Sequence, residues 1–407
     1  MSDVVSRPAQ SVLYLTKVFP YPPAVAGDAV YTRGVIEALA TFANVTALCA
    51  DSGAERRLGH TGVTWQVVEP QRTGRAGSVA SKYPLIAWKG ATAAYRRALG
   101  ALLREGAWDT IVLDNIGLAF ALPLTRAYQR AHSGTKLVYV SHEWEYPTRS
   151  GKYGSYTMSL PKRLAAALDL RKVRNWENAL IRECDIVTVI NTADAASFRT
   201  IDSSRKYLPI LPGYDGPVTA AREVTDDVPR RVLILGGRRS EQKQQVLLDW
   251  LEVADDRLVS AGIETVVVGD IPDDLRARVV EGYPGVEVLG FADDLETVIS
   301  QARAGLIVDT VGSGFKLRLL SHVFQRLPIV GLSEAIDGLP TPEGEGYLAA
   351  ATLTDLVQLV RKALDEPRLL NAVQERAFAD CEREFSWDER ARTLRTALED
   401  GVDDVLV

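Results

Sequence analysis

At 407 residues the chain exceeds one ordinary hydrophobic core, so two domains of about 200 residues are expected. Hydrophobic residues make up 46% and charged residues 25%, the balance of a globular protein; no apolar run approaches the ~20 residues that span a bilayer. The net charge of −6 hides an asymmetry: residues 1–215 carry 26 Lys/Arg against 18 Asp/Glu, and the remainder 21 against 35. The opening MSDVVSRPAQ lacks the apolar core of an export signal, so export is not expected. Cys49, Cys184 and Cys381 are scattered, without metal or disulfide spacing, which fits a reducing cytoplasm.

Strand-like apolar runs alternate with amphipathic helical stretches, the signature of parallel sheets with crossover helices. The first predicted strand, 12–18, leads into FPYPPAVAGDAVYTRGVIEALA. Pro20, Pro22 and Pro23 hold its loop extended, Gly27 precedes a helix, and Asp28 suits that helix as an N-cap. Strands at 45–50 and 64–68 follow. From Arg72 to Arg104 the chain then holds seven Lys/Arg and no acid. A strand at 110–113 ends at Asp114-Asn115, and one at 136–140 runs into Ser141-His142-Glu143. His142 there reads either as a strand-end cap or as a ligand to an oxygen. From Arg149 to Arg174 seven more basic residues face Asp169 alone. Tyr83, Trp88, Tyr95, Tyr153 and Tyr156 interleave with both basic stretches. Such a face is either a solvated surface or one that lies on anionic lipid or grips an anionic acceptor. Strands at 186–190 and 206–210 complete the first half.

Leu211 to Arg231 is rich in Pro, Gly and charge, the composition of a hinge. The second half has predicted strands at 231–235, 265–268, 286–289, 305–308 and 329–331. VLILGGRRSEQK places Arg238, the adjacent Arg239 and Lys243 after the first of these. Gly312-Ser313-Gly314 opens a helix whose first N–H groups lack intrahelical partners; those donors and the helix dipole favour an anion, so a phosphate-bearing ligand is expected, with Gly314 and Phe315 as backbone donors. Arg318, Ser321 and His322 follow on that helix. The last segment, FSWDERARTLRTALED, reads as a closing helix with Ser386 and Glu389 spaced as a capping box. Leu394 and Leu398, with Ala391 and Ala397 beside them, form its apolar stripe. No P-loop, complete GxGxxG, Ser-His-Asp signature or metal-ligand spacing is visible.

The alternation, the hinge, Arg238 with Lys243, the Gly312–Gly314 turn with Pro328 beyond it, and Phe385-Ser386-Trp387 together resemble the GT-B glycosyltransferases, especially the retaining family 4 branch. The resemblance covers nearly the whole chain. It implies an α/β fold of two Rossmann-like doubly wound domains facing across a cleft, 1–212 and 213–384, with a helix from 385–407 crossing back. It implies transfer of a sugar from a nucleoside diphosphate sugar (UDP- or GDP-sugar) to an acceptor hydroxyl, with retention, in bacterial polysaccharide or glycolipid biosynthesis. The setting it implies is the cytoplasm or the inner membrane face. By position in the family pattern, Arg238 and Lys243 hold the diphosphate and His142 contacts the transferred sugar. Gly27, Gly312, Ser313, Gly314, Phe315, Arg318 and Ser321 line the donor site. Asp28, Asp114, Asn115 and Glu143 are candidates for the acceptor, a saccharide or lipid-linked saccharide. No metal and no nucleic-acid partner are expected. The chain departs from the pattern where the family's ribose-binding Glu becomes Ser321, followed by His322, and where the earlier acid of the pair becomes Ser313. That departure motivates one alternative, an inactive GT-B-fold binding protein; a nucleotide-sugar epimerase of the same architecture is a further one.

Overall fold

The computed structural model describes residues 9–21, 27–53, 62–154, 156–190, 192–292, 294–310 and 318–402. The chain divides into two compact units, Met1–Gly213 with Trp387–Val407, and Tyr214–Ser386. It therefore leaves the first unit between Gly213 and Tyr214 and returns to it between Ser386 and Trp387.

In the first unit, β1 (Gln10–Val18), β2 (Ala43–Ala50), β3 (Val63–Val68), β4 (Thr110–Asp114), β5 (Lys136–Val140), β6 (Ile186–Val189) and β7 (Tyr207–Pro209) form one parallel sheet in the order β3-β2-β1-β4-β5-β6-β7. The central strands carry continuous apolar runs because helices cover both faces; every residue of β4 is buried. In the second unit, β8 (Arg231–Leu235), β9 (Glu264–Val268), β10 (Val286–Gly290), β11 (Ala304–Ile307), β12 (Ile329–Leu332) and β13 (Leu348–Ala350) form a parallel sheet ordered β10-β9-β8-β11-β12-β13. Each of the twelve expected strands is present within a residue or two. The thirteenth, β13, escaped because three residues after a Pro/Gly-rich loop carry no usable periodicity.

Strand order reverses once in each sheet, between β1 and β4 and between β8 and β11. Loops leaving adjacent strands there run to opposite sides, which opens a crevice at the carboxyl ends. The residues of chemical interest lie at these two points.

The stretch read as a hinge is mostly fastened down. Thr219 N–H donates to the Phe324 carbonyl at 2.9 Å, and Val224 exchanges two 2.8 Å hydrogen bonds with the Asn371 amide. The Arg222 guanidinium donates to the carbonyls of Arg326 and Ile299, each at 3.0 Å; its burial pushes the group down to about 10. Pro, Gly and charge composition cannot distinguish a free linker from one held by such bonds.

The last helix, Trp387–Glu399, packs on the helix Gly27–Ala40 and buries Ala391, Leu394, Ala397 and Leu398 in the core of the first unit. Trp387 anchors it. A Cβ on Gly34 would lie 1.8 Å from the indole, and one on Gly213 would lie 2.4 Å from it. Both positions must lack a side chain for the ring to seat.

Candidate functional site

In the first unit the cluster begins with Asp114, the last residue of β4. It has no exposed surface, yet it is fully partnered. One carboxylate oxygen accepts from the Thr16 hydroxyl at 2.8 Å and the Thr32 hydroxyl at 2.7 Å; the other lies 2.6 Å from His142 Nε2. Burial alone would raise this carboxyl, but His142 and the hydroxyl donors outweigh it and hold the group below the usual carboxylate range. Asp114, expected to face an acceptor, therefore lies beneath His142 and acts on it.

His142 follows β5 and keeps 7% of its side chain exposed. With Nε2 turned to Asp114, Nδ1 is buried without a hydrogen-bond partner among the described residues. The edge of the Tyr31 ring supports the imidazole at a centroid distance of 5.1 Å, and the Tyr31 hydroxyl is tied to the Ile210 carbonyl at 2.7 Å. One ring nitrogen is thus fixed and the other is left for a further partner.

Gly27 opens the helix Gly27–Ala40, two residues earlier than an Asp28 N-cap would require. Asp28 lies instead in the first turn, bonding the Ala29 N–H at 2.9 Å and the Lys17 ammonium at 2.8 Å. Burial would raise its carboxyl, but Lys17 and His142 keep it low. Asn115 takes a positive φ of 72° to leave β4. Its side-chain oxygen caps the Gly117 N–H at 2.9 Å and its amide donates to Glu145 at 3.2 Å, so the side chain is spent within the turn. Glu143, half-buried beside Glu145, is pushed up to about 7 by burial first and then by that neighbour. Behind them, fully buried Glu177 accepts from the N–H groups of Glu145 (2.8 Å) and Tyr146 (3.1 Å) at the start of the helix Glu145–Gly154.

In the second unit the chain leaves β8 through Gly236, at φ 114°, and passes so close to Gly269 that a Cβ there would lie 2.7 Å from the Gly236 backbone. This close approach turns Arg238 inward, and its N–H bonds the Asp270 carbonyl at 2.8 Å. Arg238 is 1% exposed; its guanidinium reaches Asp309, just beyond β11, at 3.2 Å. Arg318, which opens the helix Arg318–Phe324, meets the same carboxylate oxygen at 2.6 Å and remains 21% exposed. Lys243 lies in the first turn of the helix Glu241–Val259, capped by Ser240. A cation there opposes the helix dipole. Its ammonium is held below the usual range by burial, then by Arg318, with Arg238 adding to the effect against Asp309. Burial likewise lowers both arginines.

Among the described residues, Arg238 and Arg318 therefore share one carboxylate at the switch point of this sheet, and Lys243 lies near enough to feel all three charges. Arg239, the neighbouring candidate, points outward to Asp270 and is largely exposed. Gly312, Ser313, Gly314 and Phe315 lie outside the described residues. The Ser321 hydroxyl accepts from Gln325, just past the end of its helix, at 2.7 Å, beside the Tyr214 ring that stacks on Phe324. His322 is fully buried, its Nδ1 2.8 Å from the Arg318 carbonyl and its ring against Gly305, where a Cβ would lie 2.2 Å away. Burial pushes it down to about 4, which favours the neutral ring.

Arg238, Lys243 and Arg318 were named from the sequence; Asp309, which joins the two arginines, was not, nor were Thr16, Thr32 and Lys17 in the first unit. The available signal for Asp309 was an acid directly after the buried run GLIV, the same pattern that drew attention to Asp114.

No family model matches the chain, and no curated protein matches it by sequence. Solved structures match it along nearly its full length. HepE of Anabaena, solved with UDP and glucose, superposes with a TM-score of 0.63 at 14% identity, over 96% of this chain and 99% of that one. The pneumococcal O-GlcNAc transferase GtfA, solved with UDP and GlcNAc, gives 0.61 at 11% identity, over 97% and 100%. WaaG, a glycosyltransferase involved in lipopolysaccharide biosynthesis, gives 0.60 at 13% identity, over 96% and 100%. At these identities the likeness is one of architecture: two parallel sheets flanked by helices, the GT-B fold.

Proposed function

We propose that this protein is a glycosyltransferase that takes a sugar from a nucleoside diphosphate sugar and attaches it to an acceptor hydroxyl. The observation that carries the reading is the pairing of Arg238 and Arg318 on the Asp309 carboxylate, with the Lys243 ammonium within their electrostatic reach. A diphosphate would relieve the repulsion among these cations, and it is the group whose negative charge grows as a sugar–phosphate bond breaks. Lys243 and Arg318 keep exposed area and would touch the phosphates. Arg238, walled in behind Asp309, would contribute its field and hold the carboxylate in place. The backbone N–H groups of Gly314 and Phe315, with Gly312 and Ser313 in the same turn, are the other diphosphate donors in this reading, and Ser321 is assigned to the donor side with Arg318.

His142 is assigned to the transferred sugar through Nδ1, with Asp114 as its positioning residue. Gly27 is assigned to the donor side, and Asp28 and Glu143 remain the acceptor-side candidates. The bond between the anomeric carbon and the phosphate oxygen breaks while the acceptor oxygen bonds the same face of the carbon. The departing phosphate oxygen takes the acceptor's proton, so configuration is retained and no protein base is needed. The protein supplies position and charge. A UDP-sugar is the first donor to test, since HepE and GtfA were solved with UDP, and a saccharide or lipid-linked saccharide is the acceptor class. The domain limits that go with this reading are 1–212, 213–384 and 385–407, in a cytoplasmic polysaccharide or glycolipid pathway.

The test is nucleotide release from a panel of UDP- and GDP-sugars with and without acceptors. Lys243→Ala and Arg318→Ala are expected to weaken nucleotide diphosphate binding by roughly 10- to 100-fold in calorimetry, the worth of one charge-assisted contact, and to slow release at least as much. Wild-type protein giving no heat with any nucleotide diphosphate would end the reading. A second reading, a binding protein without turnover, is favoured by Ser321: its hydroxyl is engaged by Gln325, and it has no carboxylate to grip a ribose. Tight nucleotide binding with no release on any acceptor would select it.

A further inference from the structure

The helix Leu160–Glu183 is amphipathic in two senses along its length. Its second half buries Val173, Glu177, Leu180 and Ile181 against the first unit. Its first half does the reverse. Leu160, Leu164 and Leu168, spaced four apart on one face, are 73%, 72% and 38% exposed. A helix that packed only inward would carry polar residues there. Arg171 continues the same outward row, and Arg163 and Arg174 border it, all three exposed. Tyr156, 51% exposed, stands just before the helix.

The charge around this stripe has one sign. Between Arg149 and Arg174 the only acid is Asp169, and it is turned inward, accepting from the Leu85 N–H at 2.6 Å and the Tyr153 hydroxyl at 3.0 Å. Lys162, Arg163, Arg171 and Arg174 thus meet no opposing carboxylate from their own stretch. The element packed alongside, residues 72–104, contributes Arg75 and Lys82 and no acid. On the inner face of the same turns a cavity of about 330 Å³ is lined by Val79, Met158, Ala165 and Ala166, with Arg75, Lys162 and Asp169. Among the described residues no helix is long and apolar enough to cross a membrane. Exposed leucines flanked by arginines are the pattern of a helix that lies in the headgroup layer: apolar side chains enter the acyl boundary and cations stay with lipid phosphates.

We infer that the first turns of this helix seat the first unit on an anionic phospholipid bilayer, with Leu160, Leu164 and Leu168 inserted and Arg163 and Arg171 on the headgroups. Charge complementarity decides the occupant. A second copy of the chain would bring the same cations face to face, whereas an anionic bilayer neutralises them. The inference goes beyond the transfer reaction and does not depend on it, since neither nucleotide nor acceptor enters the test.

Flotation of the full chain with vesicles of phosphatidylcholine, with and without phosphatidylglycerol, tests it. The protein is expected to float with the anionic vesicles, to stay behind with phosphatidylcholine alone, and to be released by raised salt. The triple variant Leu160→Ser/Leu164→Ser/Leu168→Ser, and separately Arg163→Glu/Arg171→Glu, should each lose binding by roughly tenfold or more. Both sets of side chains face outward, so circular dichroism and melting should not change. Wild type that fails to float with anionic vesicles overturns the inference. So does a leucine variant that floats undiminished, which would leave charge alone at work. A wild-type dimer that the leucine variant turns into a monomer, without flotation by either, overturns it in favour of self-association.

Discussion

Asp114 is completely enclosed and still charged, because three donors converge on it: two threonine hydroxyls and the His142 ring. Such a buried carboxylate is stable only while every donor is present. Asp114→Asn supplies one acceptor oxygen where three donors need acceptance, so at least one ends against an amide N–H. We expect a loss of about 1–3 kcal/mol in stability, read from denaturant unfolding. Turnover should fall on the order of 10- to 100-fold with little change in donor KM, because the diphosphate is assigned to the second unit. Asp114→Asn added to His142→Ala should slow the reaction no further than His142→Ala alone. Additive losses would show that Asp114 acts other than through the imidazole. In the second unit the parallel residue, Asp309, is held by charged donors instead, the guanidinium groups of Arg238 and Arg318.

Two elements have their position decided by single side chains. The helix Trp387–Glu399 is held where the indole fits over Gly34 and Gly213. Gly34→Ala puts a methyl into the ring, and we expect a loss of about 1–3 kcal/mol, visible as a lowered melting temperature. A Gly34→Ala/Trp387→Ala pair should cost less than the two single changes summed. The helix Glu145–Gly154 starts on the Glu177 carboxyl, which is pushed up to about 8 by burial and by Glu145 and Glu143, against two backbone N–H donors. An acid raised in the folded state keeps its proton there while the unfolded chain releases its own near pH 4.5. The unfolded state then binds fewer protons, so this group removes stability as pH rises from about 4.5 to about 8 and adds no further slope above. Glu177→Gln lacks that slope. Its melting temperature relative to wild type is expected to rise from pH 5 to pH 8, and a constant difference across that range would contradict the assignment.

At the scale of the whole chain, one unit is contiguous and the other is assembled from two segments. The fragment Tyr214–Ser386 carries its own sheet and the Arg238–Lys243–Arg318 cluster. It is expected to melt cooperatively and to bind nucleotide diphosphates on its own. Removing residues 387–407 takes Leu394 and Leu398 from the core of the first unit, each worth about 1.5–3 kcal/mol when fully buried. Calorimetry of that truncated chain should show the second unit's transition unmoved and the first unit's lowered or lost. Equal shifts in both would mean that the units do not melt independently.

The sequence alone determined the α/β alternation, the ends of twelve strands to within a residue or two, and the residue types at the strand ends. These follow from local rules: apolar runs form buried parallel strands, Gly and Pro break them, and polar residues that end such runs sit at the carboxyl edge. Its resemblance to the GT-B pattern also pointed to Arg238, Lys243, Arg318 and His142. Tertiary structure alone decided which of these meet. Arg238 and Arg318 are brought together by Asp309, a residue 71 positions from the first, because β8 and β11 are neighbours only in the sheet. Asp114 left the list of pocket-lining candidates for the same reason: Thr16 and Thr32 reach it from another strand and another helix. Likewise the Leu211–Arg231 segment is flexible by composition but fixed by carbonyls that lie about a hundred residues away in sequence. Composition and period act over a few residues, whereas the pairing of charges and the direction a leucine faces depend on which elements end up side by side.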